Sequence, residues 1–216
     1  IKSRNKEQDF ALNLLMDPKV NIITLIGPAG TGKTMIALYA GLCQAVDDWH
    51  TVIPKQAQYS RLIVTRPIQP MGKDIGYLPG TLEEKMSPWV APINDNLQFL
   101  LGNGRDSLKE YVNEGIIEIE ALTYIRGRSI NNAFIVVDEI QNMTAHELKT
   151  VITRVGENSK IVLMGDIEQI DNVYIDETTN GLTYAVEKFK EHDIAGHITL
   201  TRGERSKVAT LAAKIL

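Results

Sequence analysis

Cysteine is almost missing from this chain: Cys43 stands alone among 216 residues. No internal disulfide can form, and a reducing cytoplasm is the expected compartment. Long apolar runs are missing too. The best candidate, Met35 to Cys43, is short and interrupted by Gly41, far from the roughly 20 residues a membrane helix needs. The first residues, Ile1-Lys2-Ser3-Arg4-Asn5, hold no apolar signal core. The four histidines, His50, His146, His192 and His197, have no cysteine partner and no zinc spacing, so they are read as surface residues. There is no repeat and no low-complexity tract. Basic residues are not in excess, since the net charge is −4, so a polyanion would have to be held by a local basic patch. What remains is ordinary for a globular chain, with 44% hydrophobic and 23% charged residues. The length suits a single domain over 1–216. The chain opens on Ile rather than Met, and the expectation is of a part excised from something longer.

Short β-rich apolar runs punctuate the sequence: Ile22 to Ile26, Leu62 to Thr65, Ile116 to Ile119, Phe134 to Val137 and Ile161 to Met164. Continuous runs of this kind read as strands buried on both faces of a parallel sheet. Helical spacing follows in Leu148, Val151, Ile152, Val155 and in Val208, Leu211, Ala212, Ile215. The first of these opens with Thr144-Ala145-His146-Glu147, which predicts a capping box. Alternation of this sort predicts an α/β fold of the P-loop NTPase (RecA/helicase-like) kind, a mostly parallel sheet flanked by helices on both faces. Two stretches interrupt it: the polar Asp47 to Ser60, and Gln69 to Pro92. The second, rich in proline and glycine, is a candidate functional loop.

Gly27-Pro28-Ala29-Gly30-Thr31-Gly32-Lys33-Thr34 fits the phosphate-loop spacing of Gly, four residues, then Gly-Lys-Ser/Thr. A strand at Ile22 to Ile26 feeds it, and a helix from Met35 to Val46 leaves it. Backbone amides and the helix N-terminus therefore converge on an anion. Lys33 reaches the β- and γ-phosphates, Thr34 offers its hydroxyl to Mg²⁺, and Gly27 through Met35 form the expected nucleotide-contacting run.

The strand Phe134 to Val137 ends in Asp138-Glu139. Asp138 beside the phosphate loop would hold the Mg²⁺ shell, and Glu139 would polarise an attacking water. Ile161 to Met164 ends in Gly165-Asp166-Ile167-Glu168-Gln169. Gln169 is either a hydrogen-bond partner of the γ-phosphate or its attacking water, or an exposed residue of a polar loop.

These residues resemble the PhoH-like ATPases, relatives of the superfamily-one helicases. The resemblance runs through Arg4-Asn5-Lys6-Glu7-Gln8, the phosphate loop, Arg66-Pro67, and Pro70-Met71-Gly72-Lys73-Asp74-Ile75-Gly76-Tyr77-Leu78-Pro79-Gly80. It continues in Glu84-Lys85-Met86-Ser87-Pro88-Trp89, Arg126-Gly127-Arg128, Asp138-Glu139-Ile140-Gln141-Asn142 and Gly165 to Asp171. Details of the middle run, with Glu204-Arg205-Ser206, look like the subgroup in which the ATPase follows a PIN ribonuclease domain. Nothing in this chain matches a PIN domain, so nuclease activity is not implied for it.

The resemblance implies ATP and Mg²⁺ as cofactors, Gln8 as an adenine contact, and Arg205 as the arginine reaching a neighbouring subunit's γ-phosphate, with Arg202 a competing candidate three residues earlier. Related helicases bind ATP between two such domains, and this chain has length for one. A homo-oligomer is therefore expected, a ring such as a hexamer. Its loops at 69–80 and Arg126-Gly127-Arg128 would either track RNA or single-stranded DNA through Lys73, Arg126 and Arg128, or pack subunits together. Trp89 with Tyr77 would stack on bases or anchor packing. The implied activity is ATP hydrolysis coupled to nucleic-acid remodelling or translocation. The alternatives are a nucleotide-dependent assembly switch and a small-molecule kinase.

Overall fold

A computed structural model describes residues 2–47, 49, 56–67, 82–102, 105–125 and 127–203. The first helix, α1 (Lys6–Met16), starts where Asn5 caps it, its Oδ1 accepting from Gln8 N at 3.0 Å, with Glu7 and Asp9 in the positive first turn. It ends before Pro18, which disfavours helical backbone at Asp17. β1 (Ile22–Ile26) and α2 (Lys33–Ala45) flank the phosphate loop, then come β2 (Arg61–Arg66), α3 (Leu82–Leu101), α4 (Arg105–Asn113) and β3 (Ile117–Ala121). β4 (Ala133–Val137), α5 (Ala145–Ile152), β5 (Lys160–Gly165), α6 (Gly181–Phe189) and β6 (Ala195–Thr199) complete the order.

The six strands form one sheet in the order β3-β2-β4-β5-β1-β6, and every pairing among them is parallel. β1, β4 and β5 are buried along their whole length, because helices cover both faces. On one face, Ala11 and Leu15 of α1, Ile36 and Leu38 of α2, Ile93 and Leu97 of α3 and Leu108 of α4 pack in one cluster with Leu25, Val64 and Phe134. On the other, Leu148 and Val151 of α5 and Leu182 and Ala185 of α6 pack with Ile63, Ile135 and Leu163. The capping box forms: Thr144 Oγ1 accepts from Glu147 N, and Glu147 Oε2 accepts from Thr144 N at 2.9 Å.

Several expectations need correction. The Gly/Pro-rich stretch is not all loop, since α3 begins at Leu82 and carries Pro88 and Pro92 inside it. The helix at Leu148 stops at Ile152, and Val155 instead bridges Ile130. α2 begins two residues before Met35 and ends at Ala45. Cys43, whose place on the helix after the phosphate loop reads as that of a small buried hydrophobe, is partly exposed. β6 was not foreseen, because Gly196 and His197 break its apolar pattern; a Cβ at Gly196 would lie 2.5 Å from Leu14, so the missing side chain lets α1 pack there. His146, His192 and His197 are exposed, as the sequence reads them, and His197 also ties β6 to β1: its Nδ1 meets Thr24 Oγ1 at 2.7 Å and its Nε2 meets Thr199 Oγ1 at 2.9 Å. The helix read at Val208 to Ile215 lies outside the described residues, as does His50.

Candidate nucleotide site

Parallel strands place all their carboxyl ends at one edge, where open α/β sheets bind ligands. Four neighbouring strands, β2, β4, β5 and β1, deliver to that edge Arg66, Asp138-Glu139, Asp166 and the phosphate loop. The loop is pinned from outside. A Cβ at Gly27 would sit 2.1 Å from the Leu200 carbonyl oxygen, and Leu200 N donates to Ile26 O at 2.7 Å, so only glycine fits where β1 turns into the loop. Gly32, at φ +89°, turns the chain into α2. Ala29 N donates to Asp166 Oδ2 at 2.9 Å, tying the loop to the end of β5. Lys33 is buried, its Nζ donating to the carbonyls of Gly27 and, at 3.0 Å, Pro28.

Thr34 and Asp138 come together: Thr34 Oγ1 donates to Asp138 Oδ2 at 3.1 Å. Asp138 is 4% exposed. Burial, and then the neighbouring Glu139 carboxylate, push its carboxyl up to about 6 against the pull of Arg66 and the Thr34 hydroxyl. A buried oxygen pair whose carboxylate is short of compensating charge suits a hard divalent cation such as Mg²⁺. Among the described residues no group of three or more His, Cys, Asp or Glu could hold a metal.

Glu139 adopts a left-handed backbone, φ +56°, costly for a residue with a side chain. Its carboxylate is half in solvent, between Arg66 Nη2 at 3.5 Å from Oε1 and Gln141 Nε2 at 2.8 Å from Oε2. Gln169 is exposed, on a short 3₁₀ turn (Ile167–Gln169), and its Nε2 donates to Asp166 Oδ2 at 2.5 Å.

Gln8, in a stretch that reads as a polar leader, is buried in the first turn of α1. Its Nε2 donates to Thr31 O at 2.9 Å and its Oε1 accepts from Arg4 N at 2.8 Å. An amide so placed keeps a second N–H and a second lone pair for a ligand edge. Arg128 is taken up by acids, 3.1 Å from Glu120 and 3.6 Å from Glu118, which weakens its assignment to phosphates. Arg202 lies exposed at the end of the described chain, its N–H and that of Thr201 donating to Glu7 of α1. Arg205, Arg126, Lys73, Tyr77 and the loop at 69–80 lie outside the described residues.

Arg66, Gln141, Asp166 and Lys160 carry no role that can be read from the sequence. The last is wholly buried, and its Nζ donates to Leu15 O and Asp17 O, both at 2.7 Å, at the end of α1. The first three sit inside recognised motifs, which was the available signal; Lys160, at the head of an apolar strand, offers none.

Residues 1–215 match the PhoH-like protein family, and the chain belongs to it. It is 53% identical over its whole length to protein PhoH2 of Bacillus subtilis (strain 168), covering 48% of that protein, and 39% identical to protein PhoH2 of Mycolicibacterium smegmatis, covering 47%. The chain thus spans about half the length of these curated relatives. Among solved structures it resembles the large terminase of a thermophilic bacteriophage, at a TM-score of 0.53 and 12% identity over 99% of this chain and 50% of that one. The fold is that of an α/β P-loop NTPase, and no helix among the described residues is long and apolar enough to cross a membrane.

Proposed function

We propose that this chain is a Mg²⁺-dependent ATP hydrolase domain. The observation that carries the reading is the meeting of Thr34 with Asp138 beside the phosphate loop, with Glu139 next in the chain. In this reading, the loop amides and the N-terminus of α2 cradle the phosphates, and Lys33 exchanges its loop carbonyls for the β- and γ-phosphate oxygens. Thr34 and Asp138 would hold Mg²⁺, which when bound supplies charge stabilisation on the phosphate oxygens. Glu139 polarises the attacking water and accepts its proton, Gln169 contacts the γ-phosphate or that water, and Gln8 reads the adenine edge.

Family membership supports a wider reading. The domain works as a homo-oligomeric ring, Arg205 of each subunit completes its neighbour's site, and turnover drives remodelling of or movement along RNA or single-stranded DNA. The other half of the relatives' length fits an attached PIN domain in a longer parent, and a cytoplasmic setting fits the lone cysteine. A specific observation favours a second reading, the slow assembly switch: both oxygens of Glu139 have partners within the chain, Arg66 and Gln141.

Steady-state ATP hydrolysis with Lys33→Ala and Glu139→Gln as controls, with and without single-stranded RNA and DNA, tests both. Turnover lost in each variant and raised by nucleic acid supports the motor. Nucleotide-dependent size without stimulation supports the switch, and a wild type that neither binds nor hydrolyses ATP refutes both.

A further inference from the structure

Gln141 is a buried polar side chain with no role in the scheme above. It leaves the tight reversal after β4, where Glu139 is left-handed and Ile140 N donates to Met164 O of β5. There it is wedged against the end of β5: a Cβ at Gly165 would come within 3.0 Å of Gln141 Oε1 and 3.1 Å of Gln141 N. Its two ends do different things. Nε2 donates to Glu139 Oε2 at 2.8 Å, and Oε1 accepts from Asp166 N at 3.4 Å. Asp166 in turn accepts from Ala29 N of the phosphate loop and from Gln169 Nε2. One amide therefore joins the carboxylate at the end of β4 to the loop after β5 and, one step further, to the phosphate cradle.

The chemistry of the pair is asymmetric. Arg66, on the other carboxylate oxygen, brings a full positive charge. An amide N–H fixes the direction of a carboxylate while leaving it anionic, with lone pairs still open to a water proton. A general base is effective only within hydrogen-bond reach of its proton, and misplacement by about 1 Å can lower a rate by roughly 100-fold.

We infer that Gln141 is the positioning residue for Glu139, holding its carboxylate toward the attacking water and making that orientation depend on Asp166 and the phosphate loop. This rests on the hydrolase reading of the site, and it adds a residue through which the phosphate loop and the base are coupled.

The test is ATP hydrolysis, ATP affinity and thermal unfolding of the full chain carrying Gln141→Met, which keeps length and loses both hydrogen bonds, and Gln141→Glu, which keeps the acceptor for Asp166 N and loses the donor to Glu139. Both are expected to lower kcat by about 10- to 100-fold, with KM and the affinity for ATP within about threefold; Gln141→Met should melt only a few degrees below wild type, and Gln141→Glu lower still, because it buries a second carboxylate against Glu139. Adding Gln141→Met to Glu139→Gln should give little further loss, because the two act as one unit. A kcat unchanged in Gln141→Met while Glu139→Gln is inactive overturns the inference and leaves the hydrolase reading standing. So does a loss of kcat in Gln141→Met that tracks a loss of affinity and a large fall in melting temperature, which would make the role structural. If Glu139→Gln itself turns over normally, the assignment of the base fails and this inference falls with it.

Discussion

The hydroxyl of Thr34 donates to the carboxylate of Asp138 at 3.1 Å across 104 residues of sequence. It joins the first turn of α2 to the end of β4, two strands away from β1 in the sheet. The pair is the structural core of the metal assignment, and its consequences can be measured.

Thr34→Val keeps the branched shape and removes the hydroxyl. Metal-site partners of this kind are worth roughly 10- to 100-fold in affinity. ATP binding by calorimetry with and without Mg²⁺ should show most of the metal-dependent gain lost, with the metal-free affinity little changed. An intact Mg²⁺ effect in this variant would remove Thr34 from the metal site.

The Asp138 carboxyl, pushed up to about 6 from 3.8, fixes the sign of a pH effect. The folded chain keeps this proton to higher pH than the unfolded chain, so this group's contribution to stability falls as pH rises from about 4 to about 6 and stays low above that. The penalty at full ionisation is about 3 kcal/mol. Without nucleotide or metal, Asp138→Asn should therefore melt higher than wild type at pH 8 and show no such gain at pH 4. Equal melting temperatures at pH 8 would mean that the carboxylate is not strained by its burial.

Lys160 donates to the carbonyls of Leu15 and Asp17 from inside the sheet. Burial lowers its amine to about 8, so the charge is held at a cost. Lys160→Met removes both bonds, and a loss of about 1 to 3 kcal/mol in denaturant unfolding is expected. Because α1 also carries Gln8, ATP affinity should weaken in the same variant. Unchanged stability would show that the two bonds give no net gain over an apolar side chain.

Arg128 is engaged by Glu120 and Glu118. Arg128→Ala should therefore change the affinity for single-stranded RNA by less than about twofold and leave its salt dependence alone. Exposed ion pairs are worth about 0 to 1 kcal/mol, so stability should barely move. A clear fall in affinity and in salt slope would return Arg128 to the nucleic-acid surface.

Contiguity separates what could be read in the chain from what could not. Eight adjacent residues spell the phosphate loop, and four of the five strands read from the sequence are unbroken by charge; the fifth, at Ile116 to Ile119, carries Glu118 and forms the partly buried edge strand β3. Gln8 was legible only through family resemblance, because nothing in a polar leader announces that Asn5 caps a helix and buries a glutamine against Thr31. β6 was missed because Gly196 is there for the sake of Leu14, a residue of another element. Helix propensity would have broken the chain at Pro88 and Pro92, yet α3 runs through both, and burial of Ile93, Leu97 and Leu100 against the sheet outweighs that local preference.

By itself the sequence determined the local chemistry: glycines that permit a tight anion loop, a lysine and a threonine at its end, and two acids after a buried strand. Which strands stand side by side was decided by tertiary structure alone. The order β2-β4-β5-β1 brings Arg66, Glu139, Gln141, Asp166 and Ala29 into one connected set, and carries Lys160 to a carbonyl 145 residues away. The reason is physical. Backbone carbonyls and amides are the same at every position, so the bonds they make to distant side chains leave no mark in the sequence and are fixed only when the sheet packs.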